Sequence, residues 1–117
     1  MVEITRESRE FDKVEKYLMT VAPGITSLKD VPDGTSITVS GIIEFNDVKE
    51  ATGEVCEIIS IITPDKKVYS AQSKTVKRSL SDIEKIMAGE QFAIIKTSGM
   101  TKAGRTFISV ELDTSKL

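Results

Sequence analysis

Apolar and polar side chains alternate along "TSITVSGIIEFND": Ile37, Val39, Gly41, Ile43 and Phe45 fall on one parity, Thr38, Ser40, Ile42 and Glu44 on the other. A period of two over this length predicts one long strand, residues 35–47. Gly41 in its middle predicts a bulge or sharp coil, as small barrels need where a strand bends between two halves. "KEATGEV" then turns the chain into a second strand, "CEIISIIT", and "TPDKK" closes a hairpin onto a third, "VYSAQ". The period next changes: Val76, Leu80, Ile83 and Met87 step by four, three and four across "SKTVKRSLSDIEKIMAGE", an amphipathic helix with Gly89 just past its end. "QFAIIKT" and "RTFISVEL" return to strand patterning.

Upstream, Phe11, Val14, Tyr17 and Leu18 in "SREFDKVEKYLM" predict one face of a short helix over residues 8–19. "TVAPGITSLKDVPDGTS" predicts a loop, with "PDG" turning directly into the long strand. The order is three antiparallel strands, a helix, then two more strands. This is the order of the five-stranded oligonucleotide/oligosaccharide-binding barrel, the OB-fold. The expected architecture is therefore mainly β: an N-terminal extension and loop over residues 1–34, helical or extended, packed on an OB-fold domain over residues 35–117.

Composition narrows the chemistry. The chain of 117 residues contains no histidine and one cysteine, Cys56, so neither a conventional zinc site nor a Ser-His or Cys-His nucleophile can be assembled. A binding protein without cofactor or metal is expected rather than an enzyme. The charged N-terminus is unlike a signal peptide, no apolar run spans a membrane, and the lone cysteine permits no internal disulfide. The expected compartment is the cytoplasm.

Net charge is −2, yet it is unevenly distributed. Residues 1–65 carry six basic and thirteen acidic side chains, whereas residues 66–105 carry nine basic and three acidic ones. Two readings stand: a solvated helix face with loop lysines, or a local surface for a polyanion.

Gly99-Met-Thr-Lys-Ala-Gly104-Arg105-Thr106 nearly spells a nucleotide-binding P-loop. That loop works by linking a strand to a helix whose N-terminal amides face the phosphates. The residues after Gly104 have strand patterning, so the segment predicts a hairpin between the last two strands, with Lys102 and Arg105 at its tip or base. In an OB-fold this hairpin borders the nucleic-acid face; as an ordinary turn it needs no ligand. If Ile108, Val110 and Leu112 face the core, Phe107 points outward, available to a base or covered by the N-terminal helix. Tyr69, on the third strand with Lys66 and Lys67 before it, is a second candidate for stacking. Phe45 has core parity unless the phase shifts at Gly41. Lys74 and Lys77 at the helix start complete the candidate cations.

"SLKDVPDGTSI" (27–37), "YSAQSKTV" (69–76) and "SGMTKAGRTFISVEL" (98–112) resemble the single-stranded DNA-binding proteins of small tailed phages that replicate linear genomes by protein priming on Gram-positive hosts. The resemblance runs over roughly residues 27–112. It implies coating of the strand displaced during replication, a functional partnership with the phage DNA polymerase, and a host-cytoplasmic location. By position it implies roles for Tyr69, Ser73, Lys74, Phe45 and Lys102. Relatives often carry a tyrosine in the first-strand loop, and "KEATGEV" has none.

The expected function is sequence-independent binding of single-stranded DNA by Phe45, Lys66, Lys67, Tyr69, Lys74, Lys77, Lys102, Arg105 and Phe107, with further copies of the chain along the strand. An RNA-binding OB-fold and a protein-interaction barrel without nucleic acid are the alternatives.

Overall fold

The structure, a computed structural model, describes residues 2–117. In chain order its elements are strand β1 (Val2–Glu7), helix α1 (Lys13–Thr20), the short strand β2 (Thr26–Ser27), strands β3 (Ser36–Val39), β4 (Gly41–Val48), β5 (Val55–Ile62) and β6 (Val68–Ala71), helix α2 (Lys74–Met87), and strands β7 (Phe92–Met100) and β8 (Thr106–Leu112). Single turns of 3-10 helix follow β2 and β8.

The strands form two sheets, one ordered β1-β4-β5-β6-β2 and the other β3-β7-β8. The chain is thus mainly β, and from residue 36 onward it follows the expected succession of strands and helix. Two expectations are corrected. Among the described residues no ladder joins the sheets into a closed barrel. The single strand over 35–47 is in fact two, β3 in one sheet and β4 in the other, separated at Ser40. The cause is a change of phase: Ile37, Val39 and Ile42 all face one core, so the alternation slips by one residue at Ser40–Gly41.

That slip explains the two clusters. The larger lies between the sheets and α2, where Ile42, Ile59 and Ile61 meet Val39, Ile94 and Val110 and the helix stripe Val76, Leu80, Ile83 and Met87. Each such fully buried side chain contributes about 1.5–3 kcal/mol. The smaller lies on the other face of β4 and β5, where Ile43, Phe45 and Ile62 pack with Phe11 and Met19. The run Ile58-Ile59-Ser60-Ile61-Ile62 is therefore covered on both faces, which is why isoleucines occupy both parities rather than alternating with polar residues.

The N-terminal residues supply that second cover. β1 adds an antiparallel edge to β4, and α1 packs on β5 and β6. Ser60 Oγ donates to the Met19 carbonyl at 2.6 Å, tying the helix end to the sheet. The helix begins at residue 13, not 8, because Asp12 caps it: its carboxylate accepts from the Glu15 amide at 2.8 Å while Glu15 reaches back to the Asp12 amide. Its inner face is also not the one expected. Glu15 and Met19 are buried with Leu18 beside them, whereas Val14 and Tyr17 are exposed.

Candidate nucleic-acid interface

Three groups of sequence-expected residues occupy distinct parts of the surface. The first surrounds the turn between β5 and β6. Thr63 builds it: its amide donates to the Lys67 carbonyl, and its hydroxyl both donates to Asp65 and accepts from the Lys67 amide. Donation from Thr63, chiefly, holds the Asp65 carboxyl below its usual range. Lys66, Lys67 and Tyr69 line one cleft of about 370 Å³, whose far wall is the loop from Ala22 to Thr26. Thr26 is the ladder partner of Tyr69 in the parallel β2–β6 pair. Tyr69 is half-buried, one side packed against the larger core.

The lysines differ. Lys66 Nζ donates to Glu15 Oε2 at 3.1 Å, so its charge already has a partner. Lys67 is well exposed and makes only a 3.8 Å contact with Asp65. Glu15 also pairs with Arg9 at 2.8 Å. The Arg9 hydrogen bond first, then Lys66 and the Asp12 amide, lower the Glu15 carboxyl to about 2, against the opposing effect of burial.

The second group stands at the start of α2. Ser73 caps the helix, its Oγ accepting from the Val76 amide at 3.2 Å and lying 3.5 Å from the Ile108 carbonyl. That contact sets the helix start beside β8. Lys74, the first helical residue, is exposed with no carboxylate partner among the described residues. Lys77, one turn on, is instead bound to Glu44 at 3.3 Å; Arg6 bonds the same carboxylate and reaches Glu84 at 2.9 Å. This ion network joins β1, β4 and α2 and engages the Lys77 charge internally.

The third group is the β7–β8 hairpin. Thr101 closes the turn, its amide donating to the Arg105 carbonyl at 2.8 Å and its carbonyl accepting from the Gly104 amide at 2.9 Å. Gly104 sits at φ +83°, a left-handed conformation that favours glycine. The segment that resembles a P-loop thus joins two strands, with no helix to direct amides at a phosphate. Lys102 and Arg105 project from the turn, exposed and without carboxylate partners among the described residues. Ile108, Val110 and Leu112 face the core as expected, leaving Phe107 on the outer face, 38% exposed, opposite Gly99. α1 packs on β5 and β6, strands of the other sheet.

Phe45 is the expected stacking residue that the structure places elsewhere. The phase slip at Gly41 does turn it away from the larger core, but the N-terminal segment covers that face and leaves the ring 3% exposed. Conversely, Met100 beside the hairpin turn is 71% exposed and Tyr17 on α1 is 52% exposed. Neither was a sequence candidate. Met100 lies at the strand end beyond the reach of the core, a position that hairpin length alone would indicate.

Among solved structures none matches the chain. Against family models, residues 12–113 match the family described as phage single-stranded DNA-binding protein. The chain belongs to that family. Two relatives, each named single-stranded DNA-binding protein, come from Bacillus phage phi29 and Bacillus phage PZA; this chain is 28% identical to each, the alignment covering 96% of it and 94% of the relative.

Proposed function

We propose that the chain binds single-stranded DNA irrespective of sequence and coats the strand displaced during protein-primed replication of a phage genome, acting as a binding protein rather than an enzyme. The family match over residues 12–113 carries this reading. The relatives' shared name states the ligand class, and the geometry supplies means of engaging it. Lys74, Lys102 and Arg105 are exposed cations without a carboxylate partner among the described residues, Lys67 is exposed with only a 3.8 Å contact to Asp65, and Tyr69 and Phe107 are partly exposed rings. Cations that neutralise phosphates together with rings that stack on any base give binding indifferent to base order. Lys66, Lys77 and Phe45 belong to this site less directly, being held by Glu15, by Glu44 and by the smaller core.

In this reading the two sheets are the halves of an OB-type fold that is left open and bent at Ser40–Gly41, and residues 1–34 are an extension packed on the domain of residues 35–117. The β1–β4 ladder and the α1 cover over β5 support such packing. Copies would line up along the strand, in the host cytoplasm, serving the phage polymerase by clearing its displaced product. No described helix is long and apolar enough to cross a membrane.

The test is tyrosine fluorescence, usable because the chain has two tyrosines and no tryptophan. Tyr17→Phe leaves Tyr69 as the sole reporter. Its emission is expected to fall on titration with poly(dT), and poly(U) is expected to compete poorly. Preference for poly(U) would instead indicate an RNA-binding protein, and absence of any salt-sensitive binding a protein-interaction barrel.

A further inference from the structure

Lys96 is a charged residue in an apolar strand, its side chain 6% exposed. Its Nζ donates to Asp33 Oδ1 at 2.8 Å, and Ser98 Oγ donates to the other carboxylate oxygen, Oδ2. Lys96 and Ser98 are two residues apart on β7 and so share a face, opposite Val110 and Ile108 in the ladder. The carboxylate is the outer member of the cluster, with the Asp33 side chain 54% exposed. Backbone bonds hold its turn independently: the Gly34 amide donates to the Lys96 carbonyl at 2.8 Å and the Lys96 amide to the Thr35 carbonyl at 3.0 Å. Rotation of the Asp33 side chain alone would vacate the place without moving the chain.

Two donors, one charged, meeting two oxygens of a single anion is also the arrangement that the non-bridging oxygens of a phosphodiester require. A lysine so enclosed needs an anion beside it, and the one it has stands on the solvent side, where another could enter. Ser98 lies two residues before Met100, on the same strand that leads to Lys102 and Arg105. Lys96 and Ser98 share the face of their ladder partners Val110 and Ile108, opposite to that of Phe107, so a nucleic acid strand passing along that side of the hairpin would meet this donor pair at its base.

We propose that Lys96 and Ser98 form a phosphate subsite that Asp33 occupies in the free protein and yields to a phosphodiester when single-stranded DNA binds. This rests on the function proposed above. Asp33 is thus an internal competitor, lowering affinity and opposing attachment to weakly held polyanions. The Lys96 hydrogen bond, followed by that of Ser98, holds its carboxyl below the usual range.

The experiment is fluorescence anisotropy of a labelled oligo(dT) against sodium chloride concentration, with thermal unfolding of each variant in parallel. Asp33→Asn is expected to bind about threefold to tenfold tighter at low salt, with a log–log salt slope steeper by up to about 0.7. Lys96→Met, near-isosteric, is expected to erase that gain in the Asp33→Asn background, and Ser98→Ala to reduce it should the Lys96 variant fail to fold. Asp30→Asn, which removes a nearby exposed carboxylate, is expected to change affinity far less. Folded Asp33→Asn with unchanged or weaker affinity overturns the proposal, as does an equal gain without Lys96 or from Asp30→Asn. Wild-type chain that ignores oligo(dT) at every salt concentration overturns the functional reading itself, and the subsite with it.

Discussion

The ring of Phe107 covers Gly99, its partner across the β7–β8 ladder: a Cβ built on Gly99 would stand 2.7 Å from the ring's Cζ. The glycine leaves room for the aromatic to lie over the hairpin backbone, where it is held and still 38% exposed. Phe107→Ala is expected to weaken oligo(dT) binding by about 1–3 kcal/mol, the usual cost of removing a base-stacking ring. Gly99→Ala is expected to displace the ring and reproduce part of that loss. Anisotropy titrations of both variants, set against their unfolding midpoints, check this; unaltered affinity in Phe107→Ala would remove the ring from the site.

A comparable contact serves stability alone. At Gly41 a Cβ would lie 2.5 Å from Phe11 Cζ and 3.1 Å from Arg9 Nε. Phe11 is 5% exposed beneath the Arg9 guanidinium, 4.2 Å from its ring centre, and cannot retreat freely. Gly41→Ala is expected to destabilise the fold by about 1–3 kcal/mol through overpacking, read as a lower urea midpoint with unchanged m-value.

Cations with and without internal partners should separate in salt titrations. Four phosphates neutralised by Lys67, Lys74, Lys102 and Arg105 give a slope of about −3. Lys74→Ala and Lys102→Ala are each expected to make it shallower by about 0.7. Lys77→Ala, which leaves Glu44 with Arg6 alone, is expected to lower thermal stability and leave the slope in place.

Acid should unfold the chain partly through Glu15. Its folded carboxyl titrates at about 2 against an ordinary 4.5. A depressed folded value means the stabilisation is complete above 4.5 and is lost progressively as pH falls toward 2. Asp33, Asp65 and Asp113 are shifted in the same direction. Melting temperatures recorded from pH 7 to pH 2 are expected to decline below about 4.5, and less steeply in Glu15→Gln, which starts from a lower value at neutral pH.

Local patterning made much of this fold legible. The α2 stripe, the hairpin in place of a P-loop, and the inward set Ile108, Val110 and Leu112 all follow from period and turn chemistry. β1 is not legible although Val2 and Ile4 alternate with Glu3 and Thr5, because two apolar positions in a six-residue charged segment are too few to set a period. β2 is two residues long, too short for any period. Helix α1 carries two adjacent apolar stripes, and composition cannot choose between Val14–Tyr17 and Leu18–Met19. The candidate site was legible as a list of cations and rings, but their availability was not. Lys77 meets Glu44 and Lys96 meets Asp33 across long stretches of chain, and Phe45 is covered by residues more than twenty positions upstream.

β5 lies between a core on one side and the N-terminal helix on the other. Removing the first twenty residues would strip one face from a plate of isoleucines and leave β4 with an unpaired edge. Such a surface invites adhesion between molecules before it can meet a nucleic acid. Shortened forms of the chain should therefore precipitate or assemble indiscriminately, and loss of binding in them would say nothing about where DNA sits.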